Sequence, residues 1–457
     1  METIQNLVEY VLSFQAYTLL PLFIFVFTII LGIPLGKSIP ATLSIAVGFV
    51  GIFLVFDFFV AALGPAVEAL ATRTGLDYPV LDVGWPPLAA ITWAFPLAAV
   101  LIPVILGVNI LLLLPGWTKT VNIDLWNFWH FIFLGAMTFQ LTGNAWLAVA
   151  MAILAEVITL KLADAARFQV AEFAEMKGIT VSPLSALTYY PIGLAGNWII
   201  DRIPGLRDIN ADPESIRKKL GILGEPMVLG FLIGSGLGIA GGYQTRELLD
   251  LAVKFAAVVA LLPVMTGILG KGLMVVSEGM TLFLQKRVPK FSQSVIALDN
   301  AIIVGKPAVI VSGLILIPIA LILALVLPGV RFLPIGDLAN MVGLVIMITV
   351  ASRGNVIRSV LISIPAVIGS LYVAGALAPM FTALAFDAGF TVPGYAGEIT
   401  AFLDGGNLLR AFLIGLLQAS PWALGFIPVV LLLVWITWRK TKEFQQEFDL
   451  SLKDQMK

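Results

Sequence analysis

Apolar runs long enough to cross a bilayer recur along almost the whole 457-residue chain, and nothing else constrains its fold as strongly. A hydrocarbon core about 30 Å thick takes roughly 20 apolar residues as helix. Backbone groups facing lipid have no water to bond to, so each segment must satisfy its own. Runs of this kind lie at 17–36, 41–70, 88–114, 125–143 and 145–163, then at 226–243, 248–283, 307–328, 337–352 and 357–380, and last at 411–438. Only 12% of residues are charged, about half the usual share in soluble domains. The expected fold is therefore an all-α polytopic membrane protein with about 11 transmembrane helices. A net charge of −1 gives nucleic acid no reason to bind, and the absence of cysteine excludes disulfides, thiolate metal sites and a phospho-cysteine on this chain. The METIQNLVEY start is acidic and polar, unlike a signal peptide, so the first span is expected to be retained.

Eleven spans set the termini on opposite sides. With the WRKTKEF tail inside, only Arg73, Arg246, Arg331 and Arg410 of the 27 Lys and Arg fall in outside segments, while Lys254, Lys271 and Lys306 lie in or beside spans. The positive-inside rule then puts the N-terminus outside and the C-terminus in the cytoplasm.

The two halves share short strings in one order. After Asp82 come LIP (101–103), PG (115–116), DLWN (124–127) and GN (143–144); after Asp299 come LIP (316–318), PG (328–329), DLAN (337–340) and GN (354–355). On the topology above the copies run in opposite directions, which predicts 5+5 inverted repeats plus one span, an arrangement typical of alternating-access transporters. The expected division is 1–163 as first repeat, 164–225 as cytoplasmic or interfacial connector and 226–380 as second repeat. An outside loop at 381–410, a final span at 411–438 and a cytoplasmic tail at 439–457 complete it. The stretch DVGWPP (82–87) and its mate around Asp299 (296–307) break helices with glycine and proline, and are read as two re-entrant tips facing one cavity. The apolar piece at 182–200 is too interrupted for a span and is read as interfacial or re-entrant.

DVGWP (82–86), NxDxWNxWH (122–130), GEP (224–226), the LD of 298–299, GDLA (336–339) and RGN (353–355) resemble the galactitol-specific enzyme IIC family of the phosphoenolpyruvate-dependent phosphotransferase system. The resemblance runs over nearly the whole chain, with a more distant likeness to ascorbate-type enzyme IIC. It implies a homodimeric permease of the bacterial inner membrane whose mobile transport domain carries a polyol inward past a scaffold. Phosphorylation then falls to the phospho-cysteine of a separate enzyme IIB, itself supplied by enzyme IIA. The chain would be a transport subunit, not a stand-alone catalyst, and no cofactor is expected.

A polyol offers only hydroxyls, so its site needs carboxylates, amides and imidazoles that accept and donate, with a flat aromatic surface for its C–H face. Ionisable groups at membrane depth are costly and default to functional candidates. Asp299 and Asn300 are the first such candidates, against a helix cap or a salt bridge to Lys306. His130, the single histidine, is another, against a core histidine bonded to a carbonyl or an anchor beside Trp126 and Trp129; one histidine without cysteines or clustered carboxylates speaks against a metal. Asp82 and Trp85 are the first-tip counterparts, against a cap and an interfacial belt residue. Glu225, before Pro226 at a helix start, is a further binding candidate, against a gate residue or an N-terminal helix charge, and Ser185, with Ser182, a weaker hydroxyl contact. Asp124 and Asp337 read as helix caps, and Arg353 as the cytoplasmic end of a span. The basic residues of 217–219 and 286–287 read as topology determinants, and secondarily as a docking face for the phosphodonor. Lys306 puts a positive charge beside the second tip, which would suit a different polyol or an acidic sugar. GFLIGSGLGIAGG (230–242) reads as close helix packing, not a nucleotide loop.

Two rival readings follow from the residues. An ion-coupled secondary transporter of a polyol or sugar acid would show the same repeat. An intramembrane enzyme is disfavoured, since HExxH and GxSxG motifs are absent.

Overall fold

The computed structural model describes residues 16–75, 78–209, 211, 214, 222, 225–287, 294–392 and 395–455; the basic cluster at 217–219 lies outside them. Helices α1 (Ala16–Ile30) and α2 (Leu35–Thr74) lead to strand β1 (Val80–Asp82), then α3 (Trp85–Trp93) and α4 (Ala98–Leu113). Strand β2 (Thr120–Asn122) and a 3-10 turn over Trp126–Phe128 precede α5 (Trp129–Thr142) and α6 (Ala145–Ala174). Strand β3 (Ile179–Val181), the single turn α7 (Leu184–Leu187) and α8 (Tyr189–Ile200) follow. Next come α9 (Pro226–Gly241), α10 (Thr245–Arg287), strand β4 (Val295–Leu298), the single turn α11 (Ala301–Val304) and α12 (Pro307–Val326). A 3-10 turn over Leu338–Asn340 opens α13 (Met341–Ala351) and α14 (Val356–Asp387). Strand β5 (Glu398–Thr400), the single turn α15 (Phe402–Gly405), α16 (Leu408–Leu417) and α17 (Pro421–Gln455) end the order.

Among the described residues six helices, α2, α6, α10, α12, α14 and α17, are long and apolar enough to cross a membrane, and α4, α9, α13 and α16 are shorter apolar helices. The chain is a mostly helical, polytopic membrane protein. Its short strands add two small parallel sheets, β1 on β5 and β2-β4-β3, which an all-α reading did not include.

Several spans differ from the hydropathy reading, each for a local reason. The run 88–114 is two helices, because Pro96 has no N–H to continue the ladder and the chain turns over 94–97. The run 145–163 continues to Ala174, where Ala163, Ala166 and Val170 stay buried. Asp164 finds partners at that level, accepting from Lys119 N–H and Thr120 Oγ1 at 2.9 Å each. The final run 411–438 breaks after Leu417, with Ala419 at φ 49° and Pro421 starting a helix that continues through the expected tail to Gln455. Helix α14 runs to Asp387, and residues 398–417, expected in an outside loop and the start of the last span, form β5, α15 and α16 instead. The 182–200 piece folds as α7 and α8, with Tyr189 and Tyr190 fully buried against the core.

The GN pairs show how a local signal builds these elements. Gly143 ends α5 in the left-handed region and Asn144 caps α6 by accepting the Leu147 N–H at 3.1 Å; Gly354 and Asn355 serve α14 in the same way, with Asn355 accepting from Arg358 N–H at 3.1 Å. Helices α1, α2, α9 and α10 pack as one group, α9 laying Gly230 and Gly234 on α10, where an added Cβ would meet atoms of Val259 and Ala252 at 2.9 Å. That group meets the remainder at α11, α12 and both 3-10 turns.

Candidate functional site

The first tip is a fastening. Gly84 (φ 75°) and Gly336 lie back to back: a Cβ on Gly336 would stand 2.5 Å from Asp82 O and Gly84 N. This approach lets two buried aspartates clamp three chain segments. Asp82 accepts from Gly84 N–H and Phe402 N–H on one oxygen and from Asp337 N–H on the other, each at 3.1 Å. Asp337 accepts from Trp85 N–H at 2.9 Å and Leu403 N–H at 3.0 Å. Five backbone donors are thereby satisfied, and strand β1 is pinned on β5 with Asp82 opposite Thr400. Asp337 is thus a bridge between segments, making no cap bond to its own turn.

The second tip uses side chains instead. Strands β2, β4 and β3 run parallel and finish together, at Asn122, Leu298 and Val181. The residues just beyond them are Asp124, Asp299 and Ser182. Asn127 Nδ2 donates to Asp124 Oδ2 and to Asp299 Oδ2, at 2.6 Å each, so one amide spans two carboxylates with both of its protons. Ser182 Oγ donates to Asp124 Oδ2 at 2.5 Å, and Asp299 Oδ1 accepts the Ala301 N–H at 2.7 Å. Asp124 reaches only 3.5 Å from the Asn127 N–H of its own turn. Its shortest bonds are to side chains, Ser182 across the site and Asn127 in its own turn, and not to the backbone N–H, which corrects its reading as a cap.

One helical turn beyond Asn127 lies His130, 2% exposed and stacked 4.0 Å from Trp129. Its Nε2 is 3.3 Å from Ser185 Oγ. Its Nδ1 lies 3.4 Å from both Arg410 Nη2 and Asp404 Oδ1. With its proton on Nε2 the ring can accept from Arg410 at Nδ1, while Asp404 Oδ1 stands close to Nδ1 without a hydrogen-bond partner among the described residues. Arg410 also donates to the Asp404 carbonyl and stands 4.7 Å over the Phe133 ring. Asp404 follows directly on the Phe402 and Leu403 amides held by the first tip, so the clamp fixes the carboxylate beside His130.

Of the residues singled out from sequence, the fold brings His130 to Ser185, and Asp299 to Asp124 and Asn127. Asn300 starts α11 without a side-chain cap bond and is half-buried. Asp82 is held by backbone donors, and Trp85 is half-buried against the apolar residues that pack around α3 and α5. Glu225 stands at the start of α9, making no side-chain cap bond, with Pro226 at the first helical position. Lys306 pairs with Glu175 at 2.6 Å, not with Asp299. Asn127, Asp404 and Arg410 escaped the sequence reading. The available signals were the asparagine of DLWN, and an arginine three residues past a GGN cap in an apolar run.

A cluster of carboxylates, an amide, hydroxyls and an imidazole among tryptophans suits recognition of a neutral, hydroxyl-rich molecule. Over residues 10–397 the sequence matches the family described as the sugar-specific permease component of the PTS system, EIIC-GAT. The chain belongs to this permease family. It is 34% identical over 444 residues, 96% of this chain and 97% of the relative, to the galactitol-specific EIIC component of Escherichia coli K12. A putative permease IIC component of the same organism is 33% identical over 400 residues, 88% of this chain and 91% of the relative. The permease is thus a membrane subunit of a sugar phosphotransferase system, and its polar cluster lies where helices begin, inside a largely apolar protein.

Proposed function

We propose that the permease binds a hexitol, galactitol by likeness to its relative, and moves it inward across the bacterial inner membrane for phosphorylation by a separate enzyme IIB. The Asp124–Asn127–Asp299 bridge carries this reading. In the first tip, carboxylates are saturated by backbone N–H groups. In the second, a single amide and a serine hydroxyl hold them, and polyol hydroxyls can take over those side-chain bonds at little cost in geometry. Asp299, Asn127, His130 and Ser185 are the proposed contacts, with Asn300 at the tip and Asp404 and Arg410 orienting the imidazole. Asp82 and Trp85 hold the first tip. Glu225 keeps the role of a gate at the start of α9.

Inverted repeats are supported by the element order, a short helix, a longer helix, a 3-10 turn and two more helices after Asp82 and again after Asp299, and by the exchange in which each tip docks on the DLxN segment of the other half. Helices α5 and α13, of 14 and 11 residues, are only about 21 and 17 Å long at 1.5 Å per residue, short of the roughly 30 Å core. Their starts therefore fall at membrane depth, as in transporters built from broken helices. In this reading the two repeats flank the connector, the last span moves to the helix that starts at Pro421, and the N-terminus is outside. The group α1, α2, α9 and α10 suits a scaffold in a homodimer, past which the tips shift in an elevator-type movement.

Proteoliposomes holding the purified chain decide the reading. Galactitol phosphate should accumulate only when the soluble phosphodonor proteins and phosphoenolpyruvate are supplied. Uptake of galactitol driven by a proton or sodium gradient in their absence would make the ion-coupled alternative the right one.

A further inference from the structure

A cavity of about 420 Å³ opens between the C-terminal ends of α6 and α13 and the start of α12, at the end of the molecule that the positive-inside reading assigns to the cytoplasm. It lies outside the carboxylate cluster, reached along the second tip seven residues past Asp299. Among the described residues three non-glycine residues have positive φ, namely Glu175 (59°), Arg353 (49°) and Ala419 (49°). Two of them, Glu175 and Arg353, line this cavity. A left-handed backbone presses Cβ against a carbonyl and at helix ends is ordinarily left to glycine or asparagine. Such conformations gather at ligand-holding sites. Here they carry ionisable side chains at the ends of two helices.

The lining chemistry is mixed. Lys306 Nζ lies 2.6 Å from Glu175 Oε1, and Arg353 Nη2 lies 2.8 Å from Glu447 Oε2. Both carboxylates are well exposed, at 81% and 62%, so water can receive them and the pairs exchange cheaply. Ala308, at the start of the 20-residue α12, also lines the cavity, and the N-terminal end of a helix favours an anion. Glu172 and Glu214 supply further carboxylate acceptors, and Gln169, whose Oε1 already accepts the Tyr190 hydroxyl at 2.7 Å, offers its amide N–H groups. Lys306 at the start of α12 and Arg353 past the end of α13, beside carboxylates and an amide, fit a small molecule carrying one phosphoryl group and several hydroxyls.

We propose that this cavity binds a polyol phosphate monoester, the reaction product, with Lys306 and Arg353 on the phosphoryl oxygens and Gln169 and Glu172 on hydroxyls. This rests on the polyol reading above. Glu175 and Glu447 are the carboxylates displaced into water, and the product is held clear of the inward transport site while it leaves.

The test is calorimetric binding of galactitol phosphate, galactitol and inorganic phosphate to the full chain in phosphatidylcholine nanodiscs. Arg353→Gln and Lys306→Gln should each weaken galactitol phosphate about tenfold or more, the scale of a lost charge-assisted hydrogen bond, and change galactitol affinity less than twofold. Arg353→Gly removes the strained side chain, so it should melt no lower than the parent while losing the same affinity. Unchanged galactitol phosphate binding in both glutamine variants overturns the proposal. So does a lower melting point for Arg353→Gly with binding intact, which makes the arginine structural. Loss of binding when phosphatidylglycerol is added to the discs assigns the cavity to a lipid headgroup and overturns it too. If galactitol fails to bind but inorganic phosphate still depends on Arg353, the anion site stands and the polyol reading falls.

Discussion

Replacing Asp82 with alanine separates fastening from binding at the first tip. The substitution leaves the N–H groups of Gly84, Asp337 and Phe402 without their acceptor, in a place where Asp82 is 5% exposed. Hydrogen bonds to a charged group contribute about 1.5–3 kcal/mol each, so three give a gross loss of about 5–9 kcal/mol. Removing the carboxylate also returns several kcal/mol of its desolvation cost, leaving a net loss of about 2–5 kcal/mol. Asp299→Ala strips the acceptor from one backbone N–H and one amide proton, at a half-buried position where water can substitute, and should cost about 1–2 kcal/mol. Thermal unfolding in detergent, followed by intrinsic fluorescence, should therefore show Asp82→Ala melting well below Asp299→Ala. Galactitol binding should fall in both, in Asp82→Ala because Asp404 drifts from His130. If Asp82→Ala instead melts with the parent while its affinity collapses, Asp82 is a substrate ligand and the clamp is misassigned.

Ser185→Ala removes one neutral hydrogen bond from His130, worth about 1 kcal/mol, and should weaken galactitol about fivefold in equilibrium binding; an unchanged affinity takes Ser185 out of the site. Gly336→Ala drives a Cβ into backbone atoms at 2.5 Å that cannot yield, so the variant should lose about 1–3 kcal/mol or more in the same unfolding assay, and a normal melt would contradict the close approach. The Lys306 ammonium, hydrogen-bonded to Glu175, holds that carboxyl below the ordinary glutamate range. The pair should thus stay charged through neutral pH and be lost only as pH falls through the lowered pKa. In Lys306→Gln the Glu175 carboxylate infrared band should titrate at higher pH than in the parent, and an unshifted titration refutes the pairing.

His130 and Asp299 are legible as candidates because polar groups stand out in apolar runs, and the DLxN segments because they recur in both halves. Asn127 is not legible as a site residue, since a helix-start DLWN is satisfied by capping and nothing local indicates a carboxylate 172 positions away. Asp404 and Arg410 were hidden by a length argument: residues 381–410 look polar enough for an outside loop, yet β5 pairs with β1 and carries them inward. Span limits failed wherever proline or a left-handed residue broke an apolar run, because hydropathy records composition and not where the ladder stops.

The clamp also dictates an order of assembly. Asp82 waits for Asp337 and Phe402, which are 255 and 320 residues further along. At ribosomal speeds of about 5–20 residues per second, the first tip spends roughly 15–60 s in the bilayer with its aspartate and strand β1 unmatched. A ribosome that stalls before residue 402 would therefore release a half-built chain with an open strand edge and an unclamped acid, the kind of intermediate a membrane protease can tell from the finished protein.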